Sequence, residues 1–177
     1  MKTLILFLFI NLVYWNNYAQ DIPLDKLQEP INFKNLKPNE RFDFTAGGLY
    51  EIKYDCENIK SGYLGQYVLF DKKSDLKSPI VGTIHIYNKG LMSNWKFDDE
   101  DQKIMKLTLK SDVLTLWESI KIGNDKNTVD EYFSNMNKVV KQKGNLISYI
   151  FKNFMIDCYF TSKLLSEITI TRVCNKN

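Results

Sequence analysis

The chain has 177 residues, with 24 Lys or Arg against 21 Asp or Glu and a formal net charge of +3. Because the charges nearly balance and no long run has one sign, the composition does not indicate a nucleic acid or an anionic membrane as partner. No apolar run reaches the roughly 20 residues that a membrane-spanning helix needs, so we expect no integral membrane segment.

Residues 1–20 have the three parts of a signal peptide. Lys2 supplies the positive charge, an apolar run extends from Leu4 to Tyr14, and Ala19 is the small residue before a cleavage point after Ala19 or Gln20. No cysteine lies near this point to carry a lipid anchor. We therefore expect an exported protein, periplasmic or extracellular, whose mature part begins near Asp21.

Residues 21–110 predict a β-rich meander after an irregular lead-in. The lead-in, up to about Phe44, is polar, contains three prolines and has no sustained period. After it, apolar and polar residues alternate with the period of half-buried strands. Residues 49–110 are therefore predicted to form a five-stranded antiparallel meander, with candidate strands at Tyr50–Cys56, Gln66–Phe70, Ile80–Tyr87, Trp95–Phe97 and Met105–Leu109.

From Ser111 onward the apolar period changes to that of a helix. Ser111 can cap a helix at its N-terminus. The apolar residues that follow have helical spacing and predict a first helix; they are Val113, Leu116, Trp117 and Ile120. Asp125 can cap a second helix that carries Val129, Tyr132, Phe133 and Met136, with Val139 and Val140 as a candidate extension up to Gly144.

Three strand-like runs follow the helical pattern, at Leu146–Phe151, Phe154–Thr161 and Ser166–Val173. The predicted fold class is therefore α+β, an antiparallel meander followed by an ααβββ unit. That unit spans residues 111–177 and either forms its own domain or continues the preceding one.

The C-terminal segment resembles a group of small envelope domains. The run Ile120–Val129, the aromatic pair Tyr132 and Phe133, and the closing run Leu165–Ile170 are similar to the ααβββ domains of SmpA/OmlA (BamE-like) assembly lipoproteins and of the β-lactamase-inhibitor-like fold. In these families a loop of the form G-x-[S/T/D]-K-x-x-V enters a helix, and a strand meander ends in I-x-I. The resemblance covers about the last 60 residues, and it implies a non-catalytic surface that binds another protein.

The residues that usually carry chemistry are few and scattered. His85 lies inside a predicted strand, where a structural role is the better interpretation. The three cysteines, Cys56, Cys158 and Cys174, form one disulfide pair at most, with a long-range bridge from Cys56 favoured over Cys158–Cys174. Together with His85 they lack the spacing of a zinc site. The run Asp98–Asp101 is interpreted as a solvated hairpin tip, with calcium binding as the alternative. We therefore predict no catalytic set, no metal and no cofactor.

Aromatic residues are the remaining functional signal, because exposed Tyr and Trp anchor many protein interfaces. We expect a non-enzymatic protein-binding module of the inhibitor or immunity type, acting in the cell envelope on a toxin-like or envelope protein. The alternatives are an accessory of envelope or outer-membrane assembly and a small secreted hydrolase that uses carboxylates. The candidate partner-binding residues are Tyr63, Tyr67, Tyr87, Trp95, Tyr149 and Tyr159.

Overall fold

The computed structural model describes residues 29–31, 36, 38–52, 62–73, 79–88, 102–134, 139–151 and 153–173. These residues contain eight β-strands and one α-helix. In chain order the elements are β1 (Phe42–Ile52), β2 (Gly62–Asp71), β3 (Ile80–Asn88), β4 (Gln102–Leu109), α1 (Lys126–Ser134), β5 (Val139–Lys143), β6 (Leu146–Phe151), β7 (Phe154–Thr161) and β8 (Leu164–Arg172).

All eight strands belong to one antiparallel sheet with the order β1-β2-β3-β4-β8-β7-β6-β5. The sheet consists of two meanders of four consecutive strands each, and β4 and β8 pair to join them. In that central pair Lys106 lies opposite Thr171, and Leu109 lies opposite Ile168. Because side chains alternate along a strand, the sheet has one covered face and one face that points away from the helix. We call these the core face and the open face.

Helix α1 covers the core face of the second meander, where it packs on β6 and β8. Its Val129 and Phe133, one helical turn apart, are both buried. Phe133 lies at the centre of an aromatic cluster, with ring centroids 5.1 to 5.7 Å from those of its neighbours. The cluster gives this half of the sheet a densely packed core, formed by Trp117, Tyr132, Phe133, Tyr149, Phe151 and Phe154.

The core face of the first meander is covered by residues that precede β1. Ile31 and Leu36 are buried there with the apolar side chains of β2 and β3. Leu36 also lines a small apolar cavity with Phe44 and Tyr67, whose rings meet edge to face at 5.7 Å. Among the described residues no helix lies on this half of the sheet. No helix in the described part of the chain is long and apolar enough to cross a membrane.

A buried ion pair lies at the junction of the two meanders. Met105 is an extra residue in β4, and next to it the Ile104 peptide departs from the regular ladder. The carboxylate of Glu29 accepts the Ile104 N–H at 3.0 Å and an Arg172 guanidinium N–H at 2.6 Å. Arg172 Nε donates to the Ile104 carbonyl at 2.9 Å, and its guanidinium lies 4.6 Å from the centroid of the Phe154 ring. These contacts attach the segment before β1 to the centre of the sheet.

The predicted α+β class with an ααβββ unit is wrong, because the part of the chain that the structure describes is an antiparallel sheet with one short helix. The first predicted helix does not form. Trp117 and Glu118 have φ angles of 44° and 61°, in the left-handed region that ends a helix, and Leu116 instead forms a bridge with Ile120. Leu116, Trp117 and Ile120 are nevertheless buried, so a tight turn reproduces the apolar spacing of a helix.

The second predicted helix is confirmed as α1, but its extension is wrong. Asp125 caps the helix, since its carboxylate accepts the Thr128 N–H at 3.0 Å and the Thr128 hydroxyl at 2.6 Å. Val139 and Val140, which were candidates for the helix extension, belong to strand β5. β-Branched residues favour strands over helices, and this preference outweighs their helical spacing.

The other predicted strands fall close to the observed ones. Two of the last three match β6 and β7 in both bounds, and Ser166–Val173 overlaps β8. The runs at Gln66, Ile80 and Met105 lie within β2, β3 and β4. Strand β1 begins at Phe42, near the end of the lead-in that was expected up to about Phe44. The candidate strand Tyr50–Cys56 overlaps β1 up to Ile52, and its later residues, like Trp95–Phe97, lie outside the described residues.

Candidate functional site

A row of short side chains crosses the whole open face at right angles to the strands. Its members are direct cross-strand partners from one edge of the sheet to the other. Most are hydroxyl residues, half-buried between longer neighbours. From β6 to β1, this central row consists of Ser148, Asp157, Thr169, Thr108, Thr83, Val68 and Thr45, and the long side chain of Lys141 on β5 ends it.

Longer side chains flank the central row on both sides. One flanking row runs through Ile150, Met155, Thr171, Lys106, His85 and Gln66. The other runs through Lys143, Leu146, Tyr159 and Glu167, and it continues to Lys110 through an ion pair of 3.4 Å. Short residues between two rows of longer ones form a shallow depression, which we call the trough.

Hydrogen bonds fix the floor of the trough. Ser148 Oγ donates to Asp157 Oδ1 at 2.6 Å, and the hydroxyls of Thr108 and Thr169 are 3.2 Å apart across the β4–β8 junction. β-Branched threonines have restricted χ1 rotamers, so these hydroxyls have little freedom to move. The floor is therefore a rigid set of polar groups rather than a mobile surface.

Besides Leu164, which is 49 % exposed at the start of β8, three large apolar side chains are exposed on the open face of the second meander. Ile150 is 43 % exposed, Met155 is 41 % exposed and Tyr159 is 40 % exposed. Ile150 and Met155 are direct cross-strand partners, and Tyr159 lies two residues from the end of β7. We call these three residues the apolar patch. Ile150 and Met155 lie on one side of the Ser148–Asp157 floor and Tyr159 lies on the other side, so the patch consists of two apolar areas on one face. Exposed apolar surface bordered by polar residues is typical of interaction sites.

Lysines dominate the free charge of the open face. Lys106, Lys141 and Lys143 are exposed, and none forms an ion pair with another described residue. The carboxylate of Glu167 is already paired with Lys110, whereas Asp157 on the floor accepts the Ser148 hydroxyl and keeps its negative charge. Among the described residues, the three lysines without an ion pair therefore outnumber this carboxylate on the open face.

His85 is half-buried on the open face beside an amide and a cation. Its cross-strand partners are Gln66 and Lys106. Burial, and after it the positive charge of Lys106, lowers the pKa of His85 below its ordinary value. The imidazole is therefore neutral at physiological pH, and neither partner is a carboxylate that could orient it as a general base.

The structure separates the candidate partner-binding tyrosines. Tyr159 lies in the apolar patch, whereas Tyr87 and Tyr149 are buried and unavailable to a partner. Tyr63 and Tyr67 point to the core side of β2, the side on which Leu69 and Ile84 are buried. Trp95 lies outside the described residues.

Tyr149 has a structural role instead of an interface role. Its hydroxyl donates a short hydrogen bond to Asp130 of α1, and Asp130 also pairs with Lys126. Burial and the Asp130 carboxylate raise the pKa of Tyr149, so the phenol stays protonated as a donor. This bond fixes the helix on β6.

Cys158 is a free, buried thiol on the core face of β7. Burial, and after it the charge of Asp157, raises its pKa, so the thiolate that nucleophilic chemistry requires is disfavoured. Cys56, Cys174 and the run Asp98–Asp101 lie outside the described residues. Within the residues that the structure describes, no group of His, Cys, Asp and Glu side chains could hold a metal ion.

Ile150 and Met155 were not among the candidate residues from the sequence, and they form two thirds of the apolar patch. A strand alternation of Leu146, Ser148 and Ile150 against Ile147, Tyr149 and Phe151 was visible, and it places the larger aromatic set in the core. The sequence feature that could have indicated the patch was therefore the less apolar face of the same strand.

Comparison of the chain with protein-family models, with curated proteins and with solved structures gives no match.

Proposed function

We propose that this protein is a non-enzymatic binding module that docks another protein on its open face. The observation that carries the proposal is the apolar patch, in which Ile150, Met155 and Tyr159 are each 40 to 43 % exposed on one side of two neighbouring strands. Exposed apolar area is unfavourable in water, and burying it against a partner is favourable by about 25 cal/mol per Å².

The composition of the patch matches the centre of a protein interface. Met and Tyr are enriched in such centres, and Tyr is one of the residue types that contribute most of the binding energy. Polar side chains lie between and beside these anchors, because the Ser148–Asp157 floor of the trough separates Tyr159 from Ile150 and Met155. Protein–protein contacts commonly combine apolar anchors with neighbouring polar groups.

The half of the sheet that carries the patch is also the more rigidly supported half. Helix α1 packs on the opposite face of the same meander, against β6 and β8, and the Tyr149–Asp130 bond attaches it. A surface that is ordered before binding loses less conformational entropy when it docks. The patch is thus presented on a preorganised platform.

The specific form of the proposal is an exported inhibitor or immunity-type protein that acts in the cell envelope. The signal-peptide pattern of residues 1–20 supports export. His85, next to Gln66 and Lys106, does not supply a base for hydrolysis on the open face.

Site-specific photo-crosslinking tests the proposal. A photoreactive amino acid replaces Met155 in the patch or, as the control, the exposed Glu131 of α1, in cells that make the full chain. We expect one crosslinked protein from position 155 and none from position 131. No crosslink from position 155, or the same products from both positions, would contradict docking on the open face.

The identity of the captured protein separates the specific forms of the proposal. A toxin or hydrolase that loses its activity in the purified complex supports the inhibitor form. A β-barrel assembly complex supports the accessory form instead. Turnover of a glycan by the purified chain, with no crosslinked partner, would show that the protein is an enzyme.

Binding measured with the purified pair gives the matched test of the patch. The double substitution Met155→Ser and Tyr159→Ser removes two of its three apolar side chains, and we expect the Kd to rise by at least about tenfold. Glu131→Ser, on the opposite side of the sheet, should leave the Kd unchanged. Equal Kd values for all three proteins would place the contact elsewhere.

A further inference from the structure

We infer that the trough receives an extended, acidic polypeptide segment of the partner, lying across the strands. This inference rests on the proposed function and adds the chemistry of the bound segment. The trough has the right shape from β6 to β4, because there a row of short side chains runs between two rows whose members are longer, except at Thr171. A single extended strand fits such a depression, since it needs only the width of one chain.

Charge complementarity determines the sign of the segment. Lys106, Lys141 and Lys143 are exposed and make no ion pair with the described residues, whereas Glu167 is neutralised by Lys110. A partner segment that places carboxylates over the free lysines forms new ion pairs without breaking existing ones. A basic segment would meet like charge at both ends of the trough, and Asp157 on the floor is the one carboxylate there that no described residue pairs.

The positions of these lysines give the spacing of the acidic residues. Lys141 is on β5 and Lys106 is on β4, four strand steps away along the sheet order. Strands lie about 4.8 Å apart, so the two positions are separated by roughly 19 Å. An extended chain advances about 3.3 Å per residue, and the two carboxylates should therefore lie about six residues apart.

The residues between the two ends favour a polypeptide over an acidic glycan. Met155 and Ile150 border the trough with flexible and branched aliphatic surface, which fits apolar side chains of a protein segment. Sugars prefer flat aromatic faces, and Tyr159 is the one large aromatic side chain exposed on the open face among the described residues. Thr169, Thr108 and Asp157 on the floor provide hydrogen-bonding groups for a peptide backbone.

Synthetic peptides are the probes that test this inference. The test peptide carries a Glu pair at each end, about six residues apart, with alternating Leu and Ser between them. One control peptide has Lys in place of Glu, and another has the Glu pairs only about three residues apart. Fluorescence anisotropy measures binding to the full chain. We expect the test peptide to bind at least about tenfold more tightly than either control.

Charge reversal on the protein locates the bound peptide. The variant K106E/K141E reverses one lysine at each end of the trough, and K73E/K121E makes the same change in net charge at exposed lysines that are outside it. We expect a loss of at least about tenfold in affinity for the first variant and little change for the second. K106Q/K141Q, which only neutralises the charges, should give an intermediate loss. Thermal unfolding confirms that each variant is folded.

Three results would overturn the inference. They are equal binding of the Glu and Lys peptides, an equal loss in K73E/K121E, and tighter binding of polygalacturonate than of the test peptide. The crosslinked partner distinguishes this failure from that of the proposed function. If its affinity depends on Met155 and Tyr159 but not on Lys106 and Lys141, docking on the open face stands and the acidic segment is wrong.

Discussion

The two meanders of the sheet have the same topology but different supports. The second meander, β5 to β8, has a helix on its core face, a cluster of six aromatic rings and no glycine within its strands. The first meander, β1 to β4, has five glycines in its strands and is covered by Ile31 and Leu36 of the segment before β1. Because large side chains contribute most of the buried area, the second meander should be the more stable half.

This difference shows where a binding surface can be placed. An exposed apolar patch lowers solubility and stability, and the half with surplus core stability tolerates it best. The apolar patch of Ile150, Met155 and Tyr159 is indeed on β6 and β7, behind the aromatic cluster. The first meander instead supplies the polar and charged end of the trough, with Lys106 and His85. The two halves are thus expected to divide stability and recognition unequally.

Truncating one phenylalanine in each half tests this comparison most strongly. Phe133→Ala removes the ring at the centre of the aromatic cluster and should lower the free energy of unfolding by about 3–5 kcal/mol. Phe44→Ala removes a half-buried ring beside the small apolar cavity of the first meander and should cost about 1–2 kcal/mol, since part of the ring is already in water. Urea denaturation measures both. A larger loss for Phe44→Ala would contradict the ranking of the two halves.

The Glu29–Arg172 pair tests how far the halves depend on their junction. Glu29→Ala leaves the buried guanidinium of Arg172 without its carboxylate and should cost about 3 kcal/mol. The double variant Glu29→Ala with Arg172→Met removes both charges and should be less destabilised than the single one. If the single and double variants lose the same stability, the pair is not a coupled unit.

The same junction predicts a pH dependence of stability. Burial raises the pKa of Glu29 above its ordinary value, although the positive charge of Arg172 opposes this shift. The folded state therefore holds the proton more tightly than the unfolded state. The stabilisation that comes from protonated Glu29 is fully present below about pH 4.3, and it is lost as the pH rises through the raised pKa. Relative to Glu29→Gln, the wild type should lose stability across that window, and a gain would contradict the direction of the shift.

The sequence predicted the strands well, but it predicted poorly the helices and turns that cover the sheet. Strand alternation identified β6 and β7 to the residue, because period two depends only on which side chains face the core. The first predicted helix failed because Leu116, Trp117 and Ile120 are buried by a tight turn whose spacing imitates a helix. Periodicity reports burial, and a long-range bond such as Trp117 N–H to the Pro30 carbonyl is not visible in it.

The candidate site was predicted only in part, for a related reason. Tyr159 was identified and lies in the apolar patch, whereas Tyr149 was identified and is buried. The two residues have the same chemistry, so residue type alone could not separate them. The alternation within each strand does, because Tyr149 shares a face with Ile147 and Phe151, whereas Tyr159 shares one with Met155 and Asp157.

Glycine substitution tests whether the first meander depends on close approach of its strands. A Cβ added at Gly82 would lie 2.1 Å from the Thr108 carbonyl oxygen, so Gly82→Ala must move β3 away from β4. We expect a loss of about 1–3 kcal/mol in the free energy of unfolding. At Gly47, the matched control, the nearest atom is at 3.5 Å, and Gly47→Ala should change stability by less than about 0.5 kcal/mol. Equal losses in the two variants would mean that the close approach of β3 and β4 at Gly82 does not determine the stability of the first meander.

The smallest expected effect is that of Lys106 on the pKa of His85, its neighbour at the first-meander end of the trough. The pKa of His85 is lowered first by burial and then by Lys106. Its folded state binds the proton less tightly than the unfolded chain, so this contribution to stability is present above about pH 6.5 and is lost as the pH falls through the lowered pKa. An NMR titration of Lys106→Gln should show a His85 pKa that rises slightly but stays below the ordinary value, because burial remains. Full recovery of the ordinary pKa in Lys106→Gln would mean that the charge of Lys106 causes the whole shift. It would contradict the half-buried position of the imidazole, because burial would then contribute nothing.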